Sequence, residues 1–172
     1  ALPEGQSSKR VCIPDVKSAI RWFKQHSKEL GVDSDRIVAG GGSAGGHISL
    51  LGTTNPGLND PNDPQGIDTS VAAYVLFNPA LSKSDANDPE VDFLQHLKAD
   101  FGPAIVFFGS EDKWLINGWT AAAAKMKSLG ITSVEMRIAE GQTHAFFNKQ
   151  PWKDITLIAA DEFLTKLGYL QG

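Results

Sequence analysis

Three side chains of this chain have the types and the order needed for nucleophilic catalysis by an activated hydroxyl: Ser43, Asp112 and His144. A serine hydroxyl is a weak nucleophile until the backbone lifts it clear of its surroundings and a base takes its proton. The first need is met in Arg36-Ile-Val-Ala-Gly-Gly-Gly-Ser43-Ala-Gly-Gly-His47, where Gly41 and Gly45 bracket Ser43 in G-x-S-x-G spacing. Glycine on both flanks lets a strained strand-to-helix turn form without side-chain clashes. A helix beginning at the serine would aim free backbone N–H groups and the positive end of its dipole at a developing negative charge.

The base is His144, in a loop opened by Gly141 that is free to bend back. Imidazole accepts a serine proton near neutral pH. The other histidines are placed less well: His26 lies on a helix before the serine turn, His47 one turn into the following helix, and His96 in an irregular polar segment. For the carboxylate, Glu111 and Asp112 are adjacent and should diverge. Asp112 stands one step further from the preceding strand, where it can turn toward the histidine, fix its tautomer and stabilise the imidazolium. The competing role for Asp112 is to cap the helix ahead.

Gly40, Gly42 and Gly45 also satisfy G-x-G-x-x-G, so the turn 40–46 could instead cradle a phosphate in a nucleotide-binding module. A dinucleotide site needs a second strand ending on an acidic residue about 20 positions further on. Here that place is taken by the loop Asn55-Pro-Gly-Leu-Asn-Asp-Pro-Asn-Asp-Pro64. A catalytically inactive binding domain is the remaining alternative. The histidines show no metal spacing, and the loop bearing Asp60, Asp63 and Asp68 lacks a twelve-residue ligand loop closed by a glutamate. It reads as a solvated turn, and neither metal nor cofactor is expected.

The elements that must position these groups follow from periodicity. Val16, Ile20, Phe23 and Leu30 recur at helical spacing between Pro14, suited to a first helical position, and Gly31, suited to the end. The apolar runs 36–39, 71–77 and 104–108 and the alternating run 131–138 predict four strands. Helices are predicted over 44–52, 118–129 and 152–167, with a short one near 93–97. Strands alternating with helices imply an α/β fold with a parallel sheet and helices on both faces. In such sheets functional groups gather at the carboxyl ends of strands, and Ser43, Asp112 and His144 follow the first, third and fourth. Nucleophile, acid, histidine is the chain order of serine hydrolases built on an α/β sheet.

Composition narrows the partners. At 172 residues the chain fits a single domain, 1–172. A net charge of −4, with no basic run longer than two residues, lacks the footprint of a nucleic-acid binder. No apolar run approaches the roughly 20 residues of a membrane-spanning helix, and the start Ala1-Leu-Pro-Glu lacks a signal-peptide pattern. Cys12 is the sole cysteine, which excludes an internal disulfide. A small molecule is the expected partner.

Five segments together resemble α/β-hydrolase fold esterases of the acetylesterase and feruloyl-esterase-like group. They are Asp15-Val-Lys-Ser-Ala-Ile-Arg-Trp22, Arg36 to His47, Leu76-Phe-Asn-Pro79, Phe108-Gly-Ser-Glu-Asp112 and Glu140-Gly-Gln-Thr-His-Ala-Phe-Phe-Asn148. The resemblance implies a carboxylesterase with Ser43 as nucleophile, Asp112 as acid, His144 as base and the N–H of Ala44 as one oxyanion donor. It also implies several strands before the first helix, and among them an H-G-G-G-like loop supplying further oxyanion donors. Neither is found in this sequence, which reads as the C-terminal portion of such a domain.

Two expectations follow. The segment 80–102 is short and polar, so the site should be open to acetyl to butyryl esters, carbohydrate-linked ones included by the resemblance, with Trp114 and Phe146 as pocket-wall candidates. The alternative for Phe146 is core packing. Without strands beside 36–39 the chain should need an N-terminal fragment of the same protein, as a second chain, for stability and activity.

Overall fold

The computed structural model describes residues 8–170. Four parallel strands stand in the order of the chain: β1 (Val38–Gly42), β2 (Ala73–Phe77), β3 (Ala104–Gly109) and β4 (Val134–Ala139). The helices are α1 (Ser8–Gln25), α2 (Ser27–Leu30), α3 (Ala44–Thr54), α4 (Phe93–His96), α5 (Lys113–Ser128) and α6 (Trp152–Lys166). Alternation along the central strands divides the core in two. Tyr74, Leu76, Ala104, Val106 and Phe108 face a layer containing Ile13, Leu50, Leu51, Leu115 and Trp119 of α1, α3 and α5. Ala73, Ile105 and Phe107 face Ala160 and Phe163 of α6. Every residue of β3 is buried, as its unbroken apolar run requires of a strand covered on both sides.

The first helix begins at Ser8, so Pro14 lies inside it rather than at its start. Ile13, Lys17 and Ile20 form its buried line, Val16 rests against Gly52, and Phe23 and Leu30 remain exposed. Upstream of Pro14 the extra turns are tied down by Lys9 on Asp85 and Arg10 on Asp88. The helix expected from Gly118 begins instead at Lys113. Gly118 is no terminus: a Cβ there would collide with the Leu81 carbonyl, so the missing side chain admits the 80–82 segment.

The loop 55–70 is largely exposed, and it is also fastened to α1. Lys17 is buried, and its ammonium donates to the carbonyls of Asn55 and Gly57, each at 2.5 Å, and to Asn59 Oδ1 at 3.2 Å. One turn on, Arg21 holds the Ile67 carbonyl and pairs with Asp63. Lys24 then bonds Asp68, which holds that carboxyl well below the usual range. Burial, and next the charge of Arg21, push the Lys17 amine down to about 8. Among the described residues no helix is long and apolar enough to cross a membrane, and no cluster of three or more His, Cys, Asp or Glu could hold a metal.

Candidate active site

At the carboxyl end of β1 the chain reverses through Ser43, whose φ of 54° and ψ of −122° lie where few L residues sit. The turn is held on both sides: Ser43 N–H donates to the Phe77 carbonyl at 2.8 Å, and the Ser43 carbonyl accepts from Ala80 N–H at 2.9 Å. The close approach that requires glycine is between Gly41 and Gly46. A Cβ on Gly46 would lie 2.9 Å from the Gly41 carbonyl oxygen, whereas one on Gly45 would meet nothing within 4 Å. From the other side a Cβ on Gly41 would lie 2.8 Å from the Gly45 carbonyl carbon, so the two glycines of the motif do pass within contact, with Gly46 sharing the crossing.

Ser43 occupies the N-cap position of α3, and Asp112 that of α5. Serine and aspartate are among the best capping residues, yet neither side chain makes a capping bond. Both turn to the same imidazole instead. His144 Nε2 lies 2.9 Å from Ser43 Oγ, and its Nδ1 lies 2.7 Å from Asp112 Oδ2. With Nδ1–H donating to the carboxylate, Nε2 keeps its lone pair for the serine hydroxyl. Glu111 diverges, as expected, with its carboxylate 3.4 Å from Lys113 Nζ. His26, His47 and His96 each donate a ring N–H to a backbone carbonyl, of Trp22, Val91 and Pro89.

Two loops are laced together to bring Asp112 and His144 face to face. Gly141 N–H donates to Ser110 Oγ and Glu111 N–H to the Gln142 carbonyl, both at 2.9 Å. After His144 the backbone turns through Ala145 at φ 61°. That reversal sends Phe146 inward, where it is buried, packs edge-on against Trp152 and joins the α6 core. Phe146 therefore takes the core-packing alternative, and with Trp152, Ile155 and Arg137 it lines a cavity on the α6 side of the sheet. Its neighbour Phe147 reaches back to the nucleophile turn, 2.7 Å from where a Gly42 Cβ would be, and leans on Phe77. Trp114, 64% exposed, stands two residues past Asp112 on α5. Ala44 is the first residue of α3, where a helical N–H has no intrahelical acceptor.

The glycine turn offers little to a phosphate. Of the three motif glycines, Gly42 is covered by Phe147 and Gly40 lies against the Val75 carbonyl, leaving only Gly45 open.

A residue that motif reading missed completes the site. Asn78 follows β2 at φ 42°, is fully buried, and donates from Nδ2 to Asp112 Oδ2 at 2.7 Å. Its Oδ1 is buried and has no partner among the described residues. In the sequence only an asparagine before Pro79 marks it, and that reads as a strand stop.

Behind the nucleophile helix, His47 is buried, and burial, then the charge of Lys9, push it down to about 4. An unfolded histidine titrates near 6.5. Between those values the unfolded chain takes up a proton that the fold refuses, so stability falls as pH drops from 6.5 to 4, by on the order of 3 kcal/mol from this group. Urea unfolding across that window should show the slope. His47→Gln, which cannot titrate, should flatten it; an unchanged slope would refute the assignment.

Comparison with known proteins finds esterases of similar sequence and fold. A family model described as BD-FAE matches residues 5–77. "Probable carboxylic ester hydrolase LipM" of Mycobacterium tuberculosis is 34% identical over 129 residues, 58% of this chain and 30% of that protein. The chain thus spans about a third of the length of this curated relative. Among solved structures, Thermogutta terrifontis esterase 2 phosphoramylated by tabun is 35% identical with a TM-score of 0.87, over 95% of this chain and 67% of that one. The same esterase with propionate bound is 33% identical with a TM-score of 0.86, over 96% and 68%. Identity of a third or more over nearly the whole of this chain and two thirds of the related esterase, at a TM-score of 0.87, leaves one conclusion: this chain belongs to the esterases of the α/β-hydrolase fold.

Proposed function

We propose that this chain carries the nucleophile, base and acid of a serine carboxylesterase acting on short acyl esters. The observation that carries the proposal is the imidazole of His144, 2.9 Å from Ser43 Oγ on one side and 2.7 Å from Asp112 Oδ2 on the other. Ser43 Oγ attacks the ester carbonyl while His144 Nε2 takes its proton; Asp112 stabilises the imidazolium; the proton passes to the departing alcohol. Water, deprotonated by the same nitrogen, then releases the acid from the acyl-serine. The N–H of Ala44 is one donor to the oxyanion.

The short acyl group is supported by the segment 80–102, whose helical pieces span only residues 83–87 and 93–96, too little for a lid. The related esterase holds propionate. Strands beyond β1, from an N-terminal segment of the same protein as a second chain or in the same polypeptide, belong to the proposal. β1 pairs with β2 on one side only among the described residues. Its other side borders an open groove of about 540 Å³ lined by Phe23, Val32, Ile37, Val38 and Tyr169. Those strands would bring the remaining oxyanion donors.

The test is made on the full-length protein. A fluorophosphonate is expected to form a single adduct, located by peptide mass spectrometry on Ser43, and p-nitrophenyl acetate and butyrate are expected to be cleaved faster than the decanoate. An adduct elsewhere would overturn the nucleophile, failure to label would favour a binding domain, and a preference for decanoate would overturn the acyl length.

A further inference from the structure

We infer that Asn78 is a positioning residue that fixes the Asp112 carboxylate, and through it the ring of His144; the inference rests on the proposed Ser43–His144–Asp112 reading. Asp112 Oδ2 accepts two hydrogen bonds, from His144 Nδ1 at 2.7 Å and from Asn78 Nδ2 at 2.7 Å. Because the aspartate makes no capping bond to α5, the amide of Asn78 is what opposes rotation of the carboxylate away from the imidazole.

The choice of residue at this place supports a role beyond packing. A φ of 42° is one that glycine adopts freely and that asparagine tolerates better than most residues. Glycine would satisfy the turn but supply no donor. Asparagine supplies the donor, and its other polar atom, Oδ1, sits buried with no partner among the described residues. A side chain kept only to fill space would not carry an orphaned carbonyl oxygen into the interior.

The frame around Asn78 is rigid where it needs to be. Its own N–H donates to the Phe107 carbonyl at 2.8 Å, extending the pairing of β2 with β3, and Pro79 follows. The residues on either side hold the nucleophile: Phe77 accepts from Ser43 N–H at 2.8 Å, and Ala80 N–H donates to the Ser43 carbonyl at 2.9 Å. A single four-residue turn, 77–80, therefore grips Ser43 through the main chain and Asp112 through the Asn78 amide. The separation of nucleophile and acid is set by this turn.

A double-mutant cycle tests the inference on the full-length protein, using the rate constant for fluorophosphonate labelling of Ser43. Asn78→Gly keeps the left-handed backbone and removes the donor. It is expected to slow labelling by up to about 10²-fold, the scale of a small misplacement of reacting groups. In an Asp112→Ala background it is expected to change labelling by less than about twofold, because the group it acts through is gone. The downfield proton NMR signal of His144 Nδ1–H should shift or broaden in folded Asn78→Gly. An equal loss of labelling in both backgrounds, or wild-type labelling with an unmoved Nδ1–H signal, would overturn the inference. Ser43→Ala is run alongside: labelling that survives in it overturns the triad reading itself, whereas labelling confined to Ser43 and indifferent to Asn78 overturns only the positioning role.

Discussion

Replacing Ser43 with alanine is expected to lower turnover of a short p-nitrophenyl ester by roughly 10⁶-fold, the scale of removing an activated serine from a triad, while hardly moving the melting temperature. The second half of that expectation comes from what the hydroxyl does not do. It makes no capping bond to α3, and the hydrogen bond it does make is to His144, an exposed ring. Both backbone bonds of Ser43, to Phe77 and Ala80, survive the change, and the positive φ is as strained for alanine as for serine. Steady-state kinetics and thermal unfolding on the same preparation check both halves. Turnover within tenfold of wild type would refute the nucleophile; a large fall in Tm would show that the hydroxyl supports the fold after all.

Asp112→Ala is expected to differ in kind. Turnover should fall by roughly 10⁴-fold, less than for the serine because an imidazole without its carboxylate still accepts protons. KM should change little, since the loss falls on the imidazolium that forms only as the reaction proceeds. Stability should drop as well. Removing the carboxylate deprives the buried Asn78 amide of its acceptor when its carbonyl is already unpartnered, a penalty of about 1–3 kcal/mol. Combined with Ser43→Ala, the aspartate change should cost nothing further in turnover, because the groups act as one unit, yet its effect on Tm should persist. Additive losses in turnover would contradict that unit.

The convergence of Ser43, Asp112 and His144 was readable in the sequence because it depends on topology. Two apolar runs and one alternating run, each followed within a short loop by a chemically useful residue, place those residues at one end of any parallel sheet. What failed was the reading of local signals that tertiary packing reuses. Pro14 resembles a helix start and lies within α1, whose earlier turns depend on Asp85 and Asp88, more than 70 residues away. Gly118 resembles a boundary and is a contact surface for Leu81. Phe146 and Phe147 are adjacent, and only the left-handed Ala145 decides which faces the core. Asn78 stood in one of the resembling segments, but its role was not legible there because its partner is 34 positions further along the chain.

Three of the cations of α1, Lys17, Arg21 and Lys24, grip the 55–70 loop with graded strength, and that gradient is expected to set how the loop breathes. At its far end Asp68 is 72% exposed, so salt and water compete for the bond from Lys24. In the middle Arg21 and Asp63 are each 12% exposed and largely shielded. At the near end Lys17 holds carbonyls out of solvent. Local opening should therefore begin at Ser70 and die away before Asn55, the residue that closes α3. Fluctuations of this irregular stretch are expected to be damped before they reach the helix whose other end carries Ser43, and amide exchange that rises toward Ser70 and stays slow at Asn55 would show it.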